Sequence, residues 1–397
     1  MKKILAMLLA LVMVLSLAAC GGSGAAAADE GGYKVAMITD YGDITDQSFN
    51  QTTYEACKAF AEANNVPFTY FKPAGDSDAE RVAMIEKAID EGYNVIVMPG
   101  YAFAGSVYAM QDVYPDVKFI ALDVSEYDVH SCFYNKDENG NWTTLIDENN
   151  PAHISANVYC AVYQEELCGY MAGYAAVKLG YTKLGFLGGM AVPAVQRYGY
   201  GFVQGADAAA KELNITVDMN YIYGGLFYGT ADITAVMDTW YQGGTEIVFA
   251  CGGGIFTSAV DAAKKVEGTK VIGVDVDQAG VIAAYAGDAD TSLTITSAMK
   301  GLYPTTVDTL TDVIINGNWE KYSGKVTTLG LVSGDDPEAN YVQIPMESTQ
   351  WSDSFTKDDY KALVKGMFDG TIIVSGDVSV EPTVTNVNVD YQGQIVG

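Results

Sequence analysis

Between Thr39 and Gln51 the chain gathers three carboxylates (Asp40, Asp43, Asp46), two amides (Asn50, Gln51) and one aromatic ring, Phe49. Carboxylates only accept hydrogen bonds, whereas an amide both donates and accepts. With a ring to stack on, this set suits a neutral, planar ligand rich in hydrogen-bond donors. It does not suit a phosphate, which asks for glycines, a lysine and open backbone N–H groups. Asp46 and Ser48 have another use, as helix caps, and one of the two is expected to serve so. Capping leaves Phe49 and Asn50 unexplained.

The flanking residues say what must hold this stretch. Tyr33–Thr39 is short, apolar and β-branched, which predicts a buried strand. Thr53–Ala63 carries Tyr54, Cys57, Phe60 and Ala61 at helical spacing. The stretch is therefore a strand-to-helix loop, and in open α/β sheets such loops sit at the carboxyl ends of strands, where ligands bind. Val95–Met98 and Phe119–Leu122 read as further strands, the second ending in Asp123. Asp78–Asp90 carries an amphipathic stripe of Val82, Ile85, Ala88 and Ile89. Apolar strands alternating with helices predict a parallel sheet covered on both faces. After a polar interruption from His130 to His153 the alternation resumes, with strands at Lys183–Gly189, Tyr221–Tyr223, Glu246–Ala250 and Lys270–Val274. Two such blocks predict two similar lobes with a site between them.

The first residues, Met1-Lys2-Lys3 and the apolar run Ile4–Ala19, describe a secretory signal too short for a comfortable membrane span. Leu17-Ala18-Ala19-Cys20 resembles a bacterial lipobox, which implies that Cys20 becomes a lipidated N-terminus; an ordinary cleaved signal is the alternative. Gly21–Glu30 has the small, polar composition of a flexible tether. Removing residues 1–19, which hold two lysines and no acids, takes the formal charge from −28 to −30. Such a chain does not seek nucleic acid or an anionic membrane surface through its own field. Five cysteines follow Cys20, without a Cys-x-x-Cys pair, so neither a disulfide framework nor a zinc site is indicated. Two histidines are too few for a His-rich metal site or a His-based hydrolase. No cofactor is expected.

With these motifs in order, the chain resembles the basic membrane protein (BMP) family of nucleoside-binding lipoproteins, the substrate-binding components of ABC importers with the type I periplasmic-binding-protein fold. The resemblance covers nearly all of the chain after the signal. It rests on Asp40–Gln51 with Ser48-Phe49-Asn50-Gln51, and on Gln164-Glu165-Glu166 leading to Gly169–Gly173. Gly185–Met190 with Pro193 and Gly201–Gly205 adds to it, as do Ile272–Gln278 and Thr296–Lys300. It implies that Phe49 and Phe227 sandwich a base, at roughly 1–3 kcal/mol per stacked base. It implies that Asp40, Asn50 and Asp123 hydrogen-bond the base edge, that Asp275 and Lys300 hold the ribose, and that Gly252–Gly254 let backbone approach the sugar. Asp123 could instead cap the next turn, Phe227 could be core, the glycines could be a plain turn, and Asp277 could substitute for Asp275. Cys57 stands where the family usually has glycine, and the insertion near Asn135–Asn150 is longer than expected.

The expected organisation is a signal at 1–19, a tether at 20–32, lobe one at 33–158 plus about 297–325, and lobe two at 159–296 plus about 326–397. Crossings are expected near Asn157–Tyr159, near Leu293–Ser297 and toward the C-terminal segment. There, Asp358–Phe368 reads as a helix and Gly370–Val374 as a strand; the Val/Thr-rich tail beyond Gly376 has no reading. The resemblance implies binding without catalysis: a purine-type nucleoside is captured, the lobes close, and the closed form docks on the importer's membrane subunits, the chain held to the bilayer through Cys20. The alternatives are a sugar or riboflavin receptor on the same fold, a sensor or adhesin, and a nucleoside hydrolase working with its cleft carboxylates.

Overall fold

The computed structural model describes residues 32–136, 142–144, 146, 151–287 and 291–396. The expected signal, the tether up to residue 31 and Cys20 lie outside the described residues, as does most of the polar insertion. In chain order the strands are β1 (Val35–Ile38), β2 (Phe68–Phe71), β3 (Val95–Pro99), β4 (Lys118–Leu122), β5 (Tyr134–Lys136), β6 (Trp142–Thr144), β7 (Val158–Tyr163) and β8 (Lys183–Gly188). They continue as β9 (Val217–Tyr223), β10 (Ile247–Cys251), β11 (Lys270–Asp275), β12 (Thr294–Lys300), β13 (Lys325–Leu329), β14 (Val342–Gln343) and β15 (Val387–Gln394). The fully apolar runs are fully buried, as in β1, β3 and β10, because helices cover both sheet faces.

One sheet runs β13-β7-β4-β3-β1-β2, every neighbouring pair parallel. The other runs β14-β12-β11-β10-β8-β9-β15, parallel except where β14 meets β12. β5 and β6 form a separate antiparallel hairpin within the insertion. The α/β architecture of two lobes, each a parallel sheet flanked by helices, is the one expected.

The chain changes lobes a few residues later than expected at the first two crossings. β7 stays on β4 from Val158 to Ala161 and on β13 from Tyr159 to Tyr163, so the first crossing follows Tyr163 rather than Asn157–Tyr159. β12 stays paired with β11 through Met299 and with β14 through Lys300, so the second crossing follows Lys300 rather than Ser297. The third follows Leu329, where β13 ends. An apolar run marks a strand but not which sheet receives it, and the ladder decides that. The crossings are laced together: Gln164 N donates to Leu329 O (2.9 Å), Gly301 N to Tyr341 O (2.7 Å) and Tyr341 N to Gly330 O (3.1 Å).

The C-terminal segment departs from expectation too. Helix Lys357–Phe368 forms, with a capping box of Thr356 and Asp359. No strand follows at Gly370–Val374, because Thr371 N and Ile372 N both turn back onto Gly366 O (2.9 Å each) and curl the chain around the helix end. The tail then runs as a strap along helix Pro193–Leu213. Gln204 exchanges two hydrogen bonds with Ser375, and Asp207 takes the N–H groups of Thr385 and Asn386. It ends as β15, parallel to β9 on the edge of the second sheet.

Helix Glu165–Lys178 is buried along almost its whole length against helix Pro193–Leu213. Glycine makes this contact possible. A Cβ on Gly169 or Gly173 would run into the backbone of Tyr198 or Phe202, and one on Gly201 or Gly205 into that of Glu166 or Tyr170. Gly173→Ala should therefore destabilise the fold by about 1–3 kcal/mol or more through overpacking. Gly280→Ala, a helical glycine with open space around its α-carbon, should be neutral or stabilising by up to about 1 kcal/mol. Urea unfolding of both variants checks the contrast; equal effects would remove the close-approach explanation.

Candidate functional site

Asp40, Phe49, Asn50, Asp123, Phe227, Gly252, Asp275 and Lys300 all line one cleft of about 350 Å³ between the lobes. Four of its walls are strand ends: β1 leads into Asp40, β4 into Asp123, β10 into Gly252, and β11 ends on Asp275.

The Asp40–Gln51 loop is built on two carboxylates. Asp46 accepts the N–H groups of Ser48, Asn50 and Gln51 at 2.9–3.0 Å and so caps helix Phe49–Asn64. Ser48 makes no cap bond. Its hydroxyl crosses the cleft and donates to Asp275 Oδ2 at 2.6 Å. Asp40 Oδ1 accepts from Tyr41 N, Gly42 N and Asn50 Nδ2 at 2.6, 2.6 and 3.0 Å. Asn50 is wholly engaged within the loop: its amide nitrogen bridges Asp40 and Asp46, and its oxygen takes Asp40 N. The Asn50 side chain, itself part of the cleft lining, thereby fixes Asp40. Burial raises the carboxyl pKa of both Asp40 and Asp46, against the hydrogen bonds that lower it.

Asp123 and Asp275 share an unusual backbone. Their φ angles are +60° and +64°, in the left-handed region that non-glycine residues seldom enter and aspartate tolerates best. The turn ends each strand on its carboxylate. Between them, 5% exposed, sits Lys300. Its Nζ lies 2.5 Å from Asp123, 3.5 Å from Glu165 and 3.6 Å from Asp275. It also stands over the Phe49 ring at 4.7 Å and the Tyr163 and Tyr198 rings at 5.6 Å each. Tyr198 donates to Asp275 Oδ1 at 3.3 Å. The surrounding carboxylates hold Lys300 firmly protonated despite its burial. Desolvation is the largest influence on Asp123 and pushes its carboxyl up to about 6, against the attraction of Lys300. Asp123 Oδ1 is buried and has no hydrogen-bond partner, which leaves an acceptor at the cleft wall.

Phe227 is seated by glycines. A Cβ on Gly189 would strike its ring, and one on Gly252 would meet both that ring and the Gly189 backbone. Gly254 N donates to Phe227 O at 2.9 Å. The expected glycines therefore act on the aromatic wall. Asp277 is absent from the lining; it accepts Ala279 N at 3.1 Å at the start of helix Ala279–Ala286.

Sequence reasoning missed several wall residues: Tyr41, Tyr101, Val195 and Tyr198. It also missed Gln278, whose side chain is fully buried and donates weakly to Gln47 O at 3.3 Å. Tyr41 directly follows Asp40, and Tyr198 lies in a helix whose pattern reads as core, so only proximity in space marks them. Ser48–Asp275, Asp123–Lys300, Gln47–Gln278 and Tyr101–Met190 (3.4 Å) all cross between the lobes, which are closed on each other. Among the described residues no group of three or more His, Cys, Asp or Glu is arranged to hold a metal ion, and no helix is long and apolar enough to cross a membrane.

Residues 33–365 match the profile of a family described as Bmp, ABC transporter substrate-binding protein PnrA-like. The chain is 25% identical over 342 residues to the ABC transporter nucleoside-binding protein BmpA of Lactococcus lactis subsp. cremoris, covering 82% of this chain and 88% of that one. It is 28% identical over 283 residues to basic membrane protein A of Borreliella burgdorferi, covering 70% and 73%. Among solved structures, an ABC transporter solute-binding protein from Conexibacter woesei superposes with a TM-score of 0.61 at 20% identity, over 87% of this chain and 99% of that one. That last likeness speaks for the fold, while the family match spans most of the sequence. The chain therefore belongs to the Bmp family of PnrA-like ABC transporter substrate-binding proteins, which bind their substrates and do not transform them.

Proposed function

We propose that the protein captures a purine-type nucleoside in this cleft and delivers it to the membrane subunits of an ABC importer. The observation that carries the reading is the convergence of two aromatic walls, Phe49 and Phe227, with Asp40, Asp123, Asp275 and Lys300 in a single closed cleft. The nucleoside-binding designation of the L. lactis relative supports the ligand class. Phe49 and Phe227 take the faces of the base. Asp40, oriented by Asn50, and Asp123 accept from its N–H edge. Asp275 accepts from vicinal ribose hydroxyls and Lys300 donates to the same oxygens. Cys20, lipidated, holds the chain on the outer face of the membrane, with Gly21–Gly32 as the tether. The excess of carboxylates over cations around Lys300 disfavours an anionic ligand and leaves the neutral nucleoside.

Calorimetric titration with adenosine, guanosine, inosine, uridine, riboflavin and ribose tests the reading. Saturable heat with a purine nucleoside and none with ribose is expected; heat with ribose or riboflavin alone would replace it by the sugar or flavin receptor. Phe49→Ala should weaken nucleoside binding about tenfold or more, the value of one lost stacking face; unchanged affinity would remove the sandwich. Asp275→Asn should weaken ribosides far more than free bases, and equal losses would take Asp275 out of the sugar site. Affinity should also depend on pH. Asp123 has to be a carboxylate to accept from the ligand, and its pKa is raised to about 6. Its charge is therefore present above pH 6 and lost below, and nucleoside affinity should fall as pH drops from 7 to 5. A flat profile across that window would exclude Asp123 from the ligand.

A further inference from the structure

We infer that Glu165, which lies behind Lys300 and outside the cleft lining, is a positioning residue that holds the lysine ammonium on the second lobe, so that closure docks Asp123 onto a cation already in place. This deepens the nucleoside reading and rests on it for its binding arm. Glu165 is fully buried. Its Oε1 approaches Lys300 Nζ at 3.5 Å, and its Oε2 accepts from Arg197 Nε at 2.6 Å. Oε1 has no hydrogen-bond partner, so the ammonium is what satisfies it.

The chain order gives this arrangement its meaning. Glu165 is the first residue of its helix, directly after the first crossing, and Lys300 is the last residue of β12, directly before the second. Asp275, Arg197 and Tyr198 belong to the same lobe as these two, and Asp123 to the other. When the lobes part, Asp123 departs while Glu165 and Asp275 stay with the ammonium. A lysine stem is long and freely rotating; a buried carboxylate anchored by an arginine restricts where its head can go. The ribose then meets a fixed donor.

The test separates charge from bulk. Glu165→Gln removes a negative charge beside Lys300, and Arg197→Gln removes a positive one behind it. The order of the Lys300 side chain, followed by NMR relaxation in the ligand-free protein, should fall in Glu165→Gln and hold in Arg197→Gln, where Glu165 keeps its charge beside the ammonium. General damage to the fold would lower it in both. In parallel, Glu165→Gln should weaken inosine about tenfold, the scale of one charge-assisted contact, and leave hypoxanthine within about twofold. Lys300 order that stays put in Glu165→Gln or falls equally in both variants, or equal losses for inosine and hypoxanthine, would overturn the inference. If the unaltered protein binds no nucleoside, the functional reading falls alone, and the order of Lys300 still decides the role of Glu165.

Discussion

A single buried ammonium sets the terms for the rest of this molecule. Moving a lysine head out of water costs several kcal/mol unless its charge is answered at close range. Lys300 is answered by three carboxylates within 3.6 Å and by three aromatic rings. Three negative charges around one positive charge overshoot, and the structure relieves the excess in two ways. Arg197 pairs with Glu165 from behind, and burial raises the Asp123 carboxyl so that it takes a proton more readily than a free one. The cleft stays rich in acceptors and poor in free positive charge, and its choice of ligand follows from that balance.

The same ammonium explains why the strands stop as they do. Asp123 and Asp275 each close a parallel strand in a left-handed turn, a backbone state that costs energy for any residue with a side chain. Both turns deliver a carboxylate to Lys300, one from each lobe. The contact with Asp123 has to break when the lobes separate and the contact with Asp275 does not. Beside the Asp123–Lys300 pair, Ser48–Asp275 and Gln47–Gln278 join the same two lobes. A ligand that reaches both lobes adds contacts available only in the closed state, and such contacts alone shift the population toward it.

Much of this is legible in the amino-acid sequence. The apolar strands, the loop chemistry of Asp40–Gln51 and the two-lobed plan follow from local pattern, because buried parallel strands have a distinctive composition. The eight named cleft residues sit at strand ends, in loops and at the start of helix Phe49–Asn64, where local pattern and family resemblance agree. What escaped depends on distant partners. The crossings are set by which ladder accepts Val158–Tyr163 and Thr294–Lys300, and nothing in either segment names its neighbour. Ser48 and Asp46 were interchangeable as caps until Asp275 came within reach of Ser48. Asn50 offers the same amide to a base or to Asp40. Gly370–Val374 has strand composition, yet the Gly366 carbonyl captures its first two N–H groups, and the unassigned tail supplies the edge strand in its place.

The glycines of the paired helices act on the cleft from a distance. Gly169 and Gly173 on one helix, and Gly201 and Gly205 on the other, let the two backbones touch. The first helix begins with Glu165, and the second carries Arg197 and Tyr198 in its opening turns. The depth of that crossing sets the separation of Glu165 from Arg197 and, through Glu165, the place of Lys300. The tail strap adds bonds along the outer side of the second helix at Gln204 and Asp207. Lobe two is thereby braced as a platform that carries Lys300, Asp275 and Phe227. Lobe one brings Asp123 and the Asp40–Asn50 loop to it. The arrangement of charge that faces lobe one is thus held by backbone contacts of glycines that lie outside the cleft lining.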